Sequence, residues 1–456
     1  MARQRVHSLL ARHPRRAARL PAVQHIDAPF CIHHHRRGAG TQLRAQTGAN
    51  HHRKLERNPL PGEGCAMKIA HVSPLPPQPT GIAAYCARLL PHLAEVVELD
   101  LFSAPGTAVP GFLSHDLADL PAKRLAYDLI LYHMGNHPAY HAAIYDMAIR
   151  YPGVAALHEV NLHTFFAASP PPAYVREMGF AAGPDGVAQA RRVLLNGAPP
   201  PIAAFPLVER LWQTSLGVIV HTEAAHNMLA SLPDKRLLIT IPLAANLPAA
   251  RPLPRPKAIG HLPPDTLLLG AFGHLAPSKR LDVLLRALAE IRTTALPFRC
   301  LLVGQPVPGY DISALIVQLG LSDLIIQTGY TESTAYEAYL QHINIGVNLR
   351  TASTGGEMSA SLLDLMARGK PCLVSDVDGF RELPETAVCK IPQDETEINQ
   401  LSRALLALMQ HPARRRQLGQ NARRHIEIYC AFPQIARRIG DFLHHCRQTA
   451  LTGDPT

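Results

Sequence analysis

Short apolar runs alternate with amphipathic stretches along most of this chain, starting near residue 67. In the first half they cover residues 69–73, 96–102, 129–132, 154–157 and 217–220. In the second half they cover residues 267–272, 300–303, 324–326, 345–348 and 372–374. Runs of this length and apolarity are typical of buried parallel strands, and the amphipathic stretches between them are typical of covering helices. The pattern therefore predicts an α/β protein made of two doubly wound halves.

A proline-rich segment separates the two halves and predicts a stiff linker, because prolines at 248, 252, 254 and 256 favour extended backbone. Two Rossmann-like domains that face each other across a cleft are the expected architecture, since open parallel sheets bind ligands outside their carboxyl ends. The predicted division is a basic tail (1–66), a first Rossmann-like domain (67–245), the linker (246–262), a second Rossmann-like domain (263–425) and a C-terminal helix and tail (426–456).

The net charge of +10 is concentrated at the N-terminus. Residues 1–66 hold 12 Lys and Arg against 3 Asp and Glu, which leaves 33 basic and 32 acidic residues in the rest of the chain. The body therefore offers no electrostatic case for nucleic-acid binding. The tail lacks hydrophobic periodicity and is predicted to be disordered. Met67 precedes a predicted strand directly, so an over-extended gene start is a further expectation.

Composition indicates a globular protein with large cores, with 47% hydrophobic and 18% charged residues among 456. The sequence contains no apolar run of about 18 residues that could span a bilayer. Eight scattered cysteines without a Cys-x-x-Cys pair favour free thiols in a reducing cytosol. A cytoplasmic location follows as an expectation, and a peripheral contact with the inner membrane face remains open.

The segment 354–376 is the strongest candidate for chemistry. A helix is predicted from Met358 to Arg368, stopped by Gly369, and its free amides would face an anion. Glu357 and Asp364 are seven residues apart, so the same helix face is expected to present both acids to one ligand. An ordinary capped helix in an αβ unit is the alternative interpretation of this stretch.

Several enzyme classes lose support because their motifs are missing from the sequence. The first predicted strand is not followed by Gly-x-Gly-x-x-Gly, and the chain has no P-loop, no Gly-x-Ser-x-Gly elbow and no His-Glu-x-x-His pair. These absences argue against a dehydrogenase, a P-loop NTPase, an α/β-hydrolase and a zinc peptidase.

Four segments together resemble retaining glycosyltransferases of family 4, of the GT-B fold and group 1 type. Gly356-Glu-Met-Ser-Ala-Ser-Leu-Leu363 is similar to the Gly-Glu-Thr-Ser-Gly-Ser-Leu-Leu form of their nucleotide-sugar motif, with Asp364 in place of its second Glu. Phe272-Gly-His-Leu-Ala-Pro-Ser-Lys279 resembles their Gly-Arg-Leu-x-x-x-Lys segment, with His274 in place of Arg. The stretches 132–141 and 152–159 resemble one branch of the family, and the likeness covers nearly all of residues 67–445.

The resemblance implies a role for each matching residue. Lys279 would neutralise the departing diphosphate, Glu357 would hold the sugar hydroxyls, and His158, at the carboxyl end of a strand, is the candidate for contact with the acceptor or the transferred sugar. Donor binding is assigned to Gly81, His274, Arg280, Ser359, Ala360, Ser361 and Asp364. Acceptor binding is assigned to Asn136, His141 and Glu159.

The function implied is transfer of a sugar from a UDP- or GDP-sugar to a hydroxyl with retention of configuration, in polysaccharide or glycolipid synthesis. The expected partners are the nucleotide-sugar donor and a glycan or lipid-linked acceptor, without nucleic acid. No metal or other cofactor is expected, because lysine and helix amides can replace a cation. A hydrolysing nucleotide-sugar epimerase and a non-catalytic GT-B scaffold that binds nucleotide sugars are the alternatives.

Overall fold

The structure is a computed structural model that describes residues 67–248, 251–294, 296–353 and 355–452. The predicted basic tail, residues 1–66, lies outside the described residues, as does the expectation about where translation starts. Two parallel β-sheets, one from each half of the described chain, form the framework.

The first sheet has the strand order β3-β2-β1-β4-β5-β6-β7, with every neighbouring pair parallel. Its strands are β1 (Lys68–Val72), β2 (Glu98–Ser103), β3 (Leu113–Asp116), β4 (Leu129–Met134), β5 (Val154–Leu157), β6 (Gly217–Val220) and β7 (Leu237–Thr240).

The second sheet is also parallel and has the order β10-β9-β8-β11-β12-β13. Its strands are β8 (Leu267–Phe272), β9 (Phe298–Val303), β10 (Ile325–Gly329), β11 (Ile345–Asn348), β12 (Cys372–Ser375) and β13 (Cys389–Ile391). In both sheets the order reverses beside the first strand, at β1/β4 and at β8/β11. Ligands bind at such switch points in open α/β sheets.

Helices connect and cover the strands. They are α1 (Gly81–Leu93), α2 (Leu120–Lys123), α3 (Pro138–Arg150), α4 (His163–Ala167), α5 (Pro171–Asn196), α6 (Glu209–Thr214), α7 (Glu223–Ala230), α8 (Lys257–Gly260), α9 (Leu281–Ile291), α10 (Ser313–Gln318), α11 (Ser333–His342), α12 (Ala360–Ala367), α13 (Glu397–Gln410), α14 (Pro412–Tyr429) and α15 (Phe432–Thr452). Short 3₁₀ turns occupy Leu117–Asp119, Arg124–Ala126, Pro277–Lys279 and Asp378–Glu382. α5 is broken by non-helical backbone at Ala182 and Gly183, and α8 lies inside the predicted linker.

Each of the ten apolar runs of the sequence coincides with a strand. The strands that the hydrophobic pattern missed are β3, β7 and β13, which are edge or near-edge elements. β3 and β7 contain no fully buried residue, whereas β4, β5 and β6 are buried throughout. A strand covered on both faces must be apolar along its length, but an edge strand need not be.

The C-terminal helix returns to the first half. α15 packs against α1, where the Phe432 and Tyr85 rings lie 5.8 Å apart, and Arg447 forms an ion pair with Asp128 at 2.7 Å. The backbone N–H of Ala245 donates to the carbonyl of Cys430 at 2.8 Å. The last helix therefore belongs physically to the first sheet, although α14 packs beside α12 of the second.

The two halves also touch beside the cleft. The Thr222 hydroxyl donates to the carbonyl of Gly356 at 2.5 Å, and it caps α7 at the same time. The Glu382 carboxylate accepts from the backbone N–H groups of Glu223 and Ala224 at 2.9 and 2.8 Å. An anion at the start of a helix is favoured by the unpaired amides there, so Glu382 ties the second half to α7.

Candidate functional site

A cavity of about 410 Å³ lies between the carboxyl ends of the two sheets. Its lining combines residues from both halves, and seven of the predicted site residues are among them: Gly81, Asn136, His141, His158, Glu159, His274 and Ala360. These residues are up to about 280 positions apart in sequence, and the structure brings them to one cavity. Before the structure, only the family resemblance connected them.

Gly81 opens α1 at the edge of this cavity. The Thr80 hydroxyl caps the helix by accepting from the Ala83 N–H at 3.0 Å. A Cβ built on Gly81 would meet nothing within 4 Å, so the position leaves open space next to the backbone. Gly81 therefore leaves room for a bound group.

Lys279 closes the short turn that follows β8 in the second half, and its side chain folds back to the end of that strand. Its ammonium donates to the carbonyl of Phe272 at 2.5 Å, and a Cβ on Gly273 would lie 2.6 Å from Lys279 Nζ. Gly273 has φ +90°, and Gly304 packs so closely that its Cβ would lie 2.2 Å from the Gly273 carbonyl oxygen. Two glycines therefore allow the lysine to fold back over the strand end.

The start of α12 lies beside this lysine. Ser359 caps the helix, Ser361 accepts from the Asn348 amide at 3.1 Å, and the two serine hydroxyls are 3.0 Å apart. Ser361 also donates to the Phe272 carbonyl at 3.4 Å, the same oxygen that Lys279 uses. Lys279 and the first turn of α12 thus share one small polar region.

Arg350 completes the region, and the sequence interpretation did not assign it a role. Its guanidinium donates to Ser359 Oγ at 3.0 Å and lies 3.4 Å from a carboxylate oxygen of Glu357. Only the fold brings this arginine close to the lysine. The signal available was a basic residue two positions after a buried strand end.

Burial lowers the pKa values of both Lys279 and Arg350. Loss of water around the ammonium, helped by the Arg350 charge, lowers the pKa of Lys279 to about 7, while Glu357 acts in the opposite direction. Burial likewise lowers the pKa of Arg350, against the influence of Glu357. The Glu357 carboxylate favours the charged forms of both Lys279 and Arg350. A negatively charged ligand would favour these charged forms further.

Glu159 faces this region from the first half. A Cβ on Gly355 would lie 3.0 Å from Glu159 Cγ, and the Asn136 amide donates to the Glu159 carboxylate. Burial, with the nearby Glu357 charge, raises the pKa of Glu159 to about 8, so the carboxyl is mostly protonated at neutral pH. A neutral carboxylic acid can donate a hydrogen bond to a ligand oxygen.

His158 and His141 line the cavity as neutral imidazoles. Burial is the main cause that lowers the pKa of His158 well below its usual value, with His221 and His141 adding to it. Burial also lowers the pKa of His141 to about 4. Neither side chain provides a fixed charge at neutral pH.

Two details of the predicted site are corrected. α12 begins at Ala360, so Glu357 lies in the loop before the helix and does not share a helix face with Asp364. Instead, Glu357 pairs with Arg350, whereas Asp364 sits further along the helix, 3.9 Å from Arg368. The Ser359 cap explains the shorter helix, because the N-cap residue is not itself helical.

Arg280 is the second correction. Its guanidinium is paired with the carboxylate of Glu397, with one contact of 2.9 Å between Arg280 Nε and Glu397 Oε1. Its backbone is left-handed, with φ +47°, at the start of α9. A bidentate pair with a buried carboxylate occupies the Arg280 guanidinium, whereas Arg350 is the arginine whose charge acts on Lys279.

The chain is similar to known proteins in part of its sequence and in its fold. Residues 257–425 match the family model of glycosyl transferases group 1. That range contains Lys279, Arg350, Glu357 and the start of α12. No curated protein sequence matches the chain.

Solved structures share the fold over more than four fifths of the chain. Sucrose-phosphate synthase from Thermosynechococcus elongatus is 18% identical, with 83% of this chain and 98% of that chain covered and a TM-score of 0.59. HepE from Anabaena, in complex with UDP and glucose, is 17% identical, with 83% and 100% covered and a TM-score of 0.54. A glycosyltransferase from Rickettsia africae is 12% identical, with 84% and 98% covered and a TM-score of 0.55.

These similarities confirm the predicted GT-B arrangement of two Rossmann-like domains. The family match supports a glycosyltransferase of group 1 in the second half of the chain. Among the described residues, none of the helices combines the length and apolarity that crossing a bilayer requires.

Proposed function

We propose that this protein is a glycosyltransferase that moves a sugar from a UDP- or GDP-sugar to a hydroxyl of a glycan or lipid-linked acceptor, with retention of configuration. The observation that carries the proposal is the pair of cations, Lys279 and Arg350, at the start of α12. Ser359 and Ser361 connect these side chains to the helix start, and Ala360 between the two serines lines the cavity that the two halves share. The HepE structure is a complex with UDP and glucose, which supports the same class of donor here.

The donor diphosphate fits this cation pair. When the bond between the sugar and the diphosphate breaks, negative charge grows on the leaving oxygen, and preorganised donors nearby lower the barrier. Lys279, Arg350 and the free amides of the first turn of α12 are such donors. Because these groups already supply positive charge, we propose that the reaction needs no metal ion.

Glu357 is the candidate for holding the sugar. Its carboxylate is partly exposed and lies next to the Arg350 guanidinium. The carboxylate oxygens can therefore still accept hydrogen bonds from sugar hydroxyls. Asp364 is the candidate for the ribose. Burial raises the pKa of Asp364, with Arg368 and Arg88 opposing that effect, and in either protonation state a carboxyl oxygen can accept from a ribose hydroxyl.

The acceptor is assigned to the face of the cavity formed by the first half. His158, His141 and the Asn136–Glu159 pair line it, and none of them bears a fixed charge at neutral pH. A lining of neutral donors and acceptors suits a polyhydroxylated acceptor. Retention and a role in polysaccharide or glycolipid synthesis rest on the family resemblance.

We also place the reaction in the cytoplasm, with an optional peripheral contact with the membrane. All six cysteines of the described residues are free thiols, and five of them are buried. Free thiols favour a reducing compartment.

Donor turnover by the full chain tests the proposal. Thermal shifts with UDP, GDP and their sugars identify the nucleotide, and release of the nucleoside diphosphate is then measured with and without candidate acceptors. Acceptor-dependent release, with the product anomer assigned by NMR, is the expected result. Acceptor-independent conversion to an epimerised or free sugar would favour the epimerase, and binding without any release would favour the scaffold.

A matched pair of variants ties the result to the site. Arg350→Gln is expected to weaken nucleotide binding, because it removes one of the two cations. Arg381→Gln removes an arginine of the same half that is 68% exposed and pairs with Asp376 at the surface. Equal effects of the two variants would contradict the proposed diphosphate site.

A further inference from the structure

Four neighbouring strands of the first sheet each have a histidine at or near the carboxyl end. His71 and His133 are the next-to-last residues of β1 and β4, and His158 and His221 directly follow β5 and β6. Consecutive rings in this row are 4.8, 5.3 and 4.8 Å apart between centroids. The parallel pairing of β1 with β4, of β4 with β5 and of β5 with β6 brings the four side chains to one edge of the sheet. We call these four residues the histidine row.

The two ends of the histidine row have different surroundings. His158 and His221 line the cavity between the halves. His71 and His133 are 0% and 1% exposed, and they lie below the cavity next to Cys86 of α1, which is also fully buried. One ligand atom from each of these three side chains lies within 4.8 Å of the others. The inner end is therefore a compact group of two imidazoles and one thiol.

One nitrogen of each inner imidazole is already occupied. His71 Nδ1 is 3.4 Å from the Ser73 hydroxyl, and His133 Nδ1 is 3.0 Å from His158 Nε2. The Nε2 atoms of His71 and His133 are buried and have no hydrogen-bond partner among the described residues. A buried polar atom without a partner destabilises the folded protein, so two such atoms in one group indicate that a ligand binds them.

We propose that His71, Cys86 and His133 bind a thiophilic cation, Zn²⁺ or Cu⁺, through the two Nε2 atoms and the thiolate. Imidazole and thiolate are the ligands that both ions prefer. Metal bonds of about 2.0–2.3 Å place neighbouring ligand atoms roughly 3.5–4 Å apart, so the group closes by about 1 Å when an ion enters. Small side-chain rotations suffice for that movement.

Charge balance distinguishes the two ions. Binding releases the Cys86 proton, and the resulting thiolate cancels the charge of Cu⁺ but only half the charge of Zn²⁺. Among the described residues, this group of possible metal ligands contains no carboxylate and no fourth member. Zn²⁺ would therefore need water or the Ser73 hydroxyl as a fourth ligand, whereas Cu⁺ is satisfied by three and leaves no buried net charge.

The bound ion has a consequence for the cavity, which rests on the proposed function. With its Nε2 lone pair on the metal, His133 must bear its proton on Nδ1 and donate it to His158 Nε2. His158 then has its own proton on Nδ1. The cation thus fixes the tautomer of the histidine that faces the proposed acceptor, and His133 acts as a positioning residue.

Metal binding by the full chain, reduced and stripped with a chelator under argon, tests the inference. The background variant Cys31→Ser/Cys65→Ser removes the two cysteines of residues 1–66. Co²⁺, as a probe for Zn²⁺, is titrated and followed by thiolate-to-metal charge-transfer absorption. Cu⁺ is titrated in competition with bicinchoninate. One equivalent of either ion per chain that depends on Cys86 is the expected result, and the ion that binds more tightly identifies the occupant.

Matched variants decide the assignment. Cys86→Ser and His71→Gln are expected to abolish the charge-transfer absorption or the competition for Cu⁺, whereas Cys300→Ser, a fully buried thiol of the second sheet, leaves both unchanged. If Cys86→Ser retained the bound equivalent, or if neither ion bound, the inference would be overturned.

A measurement on the unsubstituted protein guards against variants that do not fold. Alkylation of each buried thiol in moderate urea is followed by peptide mass spectrometry with and without the ion. The ion is expected to slow modification of Cys86 more than that of Cys300. Equal protection of the two thiols would count against the site. Nucleotide thermal shifts, which depend on Lys279 and Arg350, report separately on the proposed function.

Discussion

At the scale of single residues, the charge of the Lys279 side chain depends strongly on its surroundings. Its ammonium has the Phe272 carbonyl as an acceptor and the Arg350 guanidinium as an unfavourable neighbour. Loss of water and this like charge together lower its pKa to about 7. A lysine in such a place is charged or neutral according to whether an anion is bound beside it.

Replacing the lysine tests its role in turnover. Lys279→Met keeps much of the side-chain volume but removes the positive charge next to the leaving diphosphate. We expect kcat to fall about 100-fold, the scale of one lost preorganised electrostatic contact. Lys390→Met, a surface lysine of the same half, is the control. Equal turnover in Lys279→Met and the unsubstituted protein would remove Lys279 from the site.

Donor binding is also expected to take up a proton. At pH 8 an ammonium with a pKa of about 7 is mostly neutral, and a bound diphosphate raises that pKa again because it favours the charged form. Calorimetry of UDP or GDP binding in two buffers with different ionisation enthalpies should show uptake of about one proton at pH 8 and less at pH 6. The uptake should vanish in Lys279→Met, and its persistence there would assign it to another group.

At the scale of elements, α12 and the loop before it separate two carboxylates that the sequence pattern had placed on one helix. The helix begins at Ala360, so Glu357 is free to pair with Arg350, while Asp364 is anchored two turns away near Arg368. The Tyr336 side chain of α11 lies close to Asp364 and its pKa is affected by that charge. The two acids therefore have different environments and different proposed ligand groups.

This separation predicts different kinetic effects. Glu357→Gln should mainly lower kcat, because a contact with the sugar that tightens in the transition state is lost. Asp364→Asn should mainly raise KM for the donor, because ribose binding is alike in the ground and transition states. Initial rates over a range of donor concentrations measure both. If both variants lower only the urea midpoint and leave the kinetics intact, the acids are structural.

At the scale of the whole molecule, buried neutral histidines link stability to pH. Burial lowers the pKa values of His71, His141 and His221 to about 4, below the value of about 6.5 of an unfolded chain. Between pH 4 and 6.5 the unfolded state therefore binds more protons at these sites, and their contribution to stability is lost as the pH falls. Glu159, with its pKa raised to about 8, acts in the opposite direction.

The pH dependence can be assigned to one histidine. The unsubstituted chain and His71→Gln are both kept metal-free with a chelator. Between pH 4 and 6.5 the free energy of unfolding should rise with pH less steeply in His71→Gln, by about 1.4 kcal/mol per pH unit, the value for one proton. Urea unfolding at a series of pH values measures the slope. Leu131→Ala, a buried neighbour in β4 without a titratable group, should lower stability equally at each pH. A slope that His71→Gln leaves unchanged would contradict the assignment.

The two-sheet framework could be predicted from the sequence alone. Central strands are covered on both faces, so their apolar runs are visible without a structure, and β3, β7 and β13 escaped because partly exposed strands lack that pattern. Motif likeness singled out His158, which lines the cavity, and Lys279 and Glu357, which both lie close to Arg350.

Only the tertiary structure decided which charged groups meet. Arg280 and Arg350 are both basic residues near strand ends, and nothing local shows that Glu397, more than 100 positions away, occupies the first and leaves the second for the site. The histidine row is likewise invisible as a group, because its members are separated by 25 to 63 positions and become neighbours through strand pairing alone. Hydrophobic periodicity is a local property of the chain, whereas electrostatic environment depends on contacts that the fold creates between distant segments.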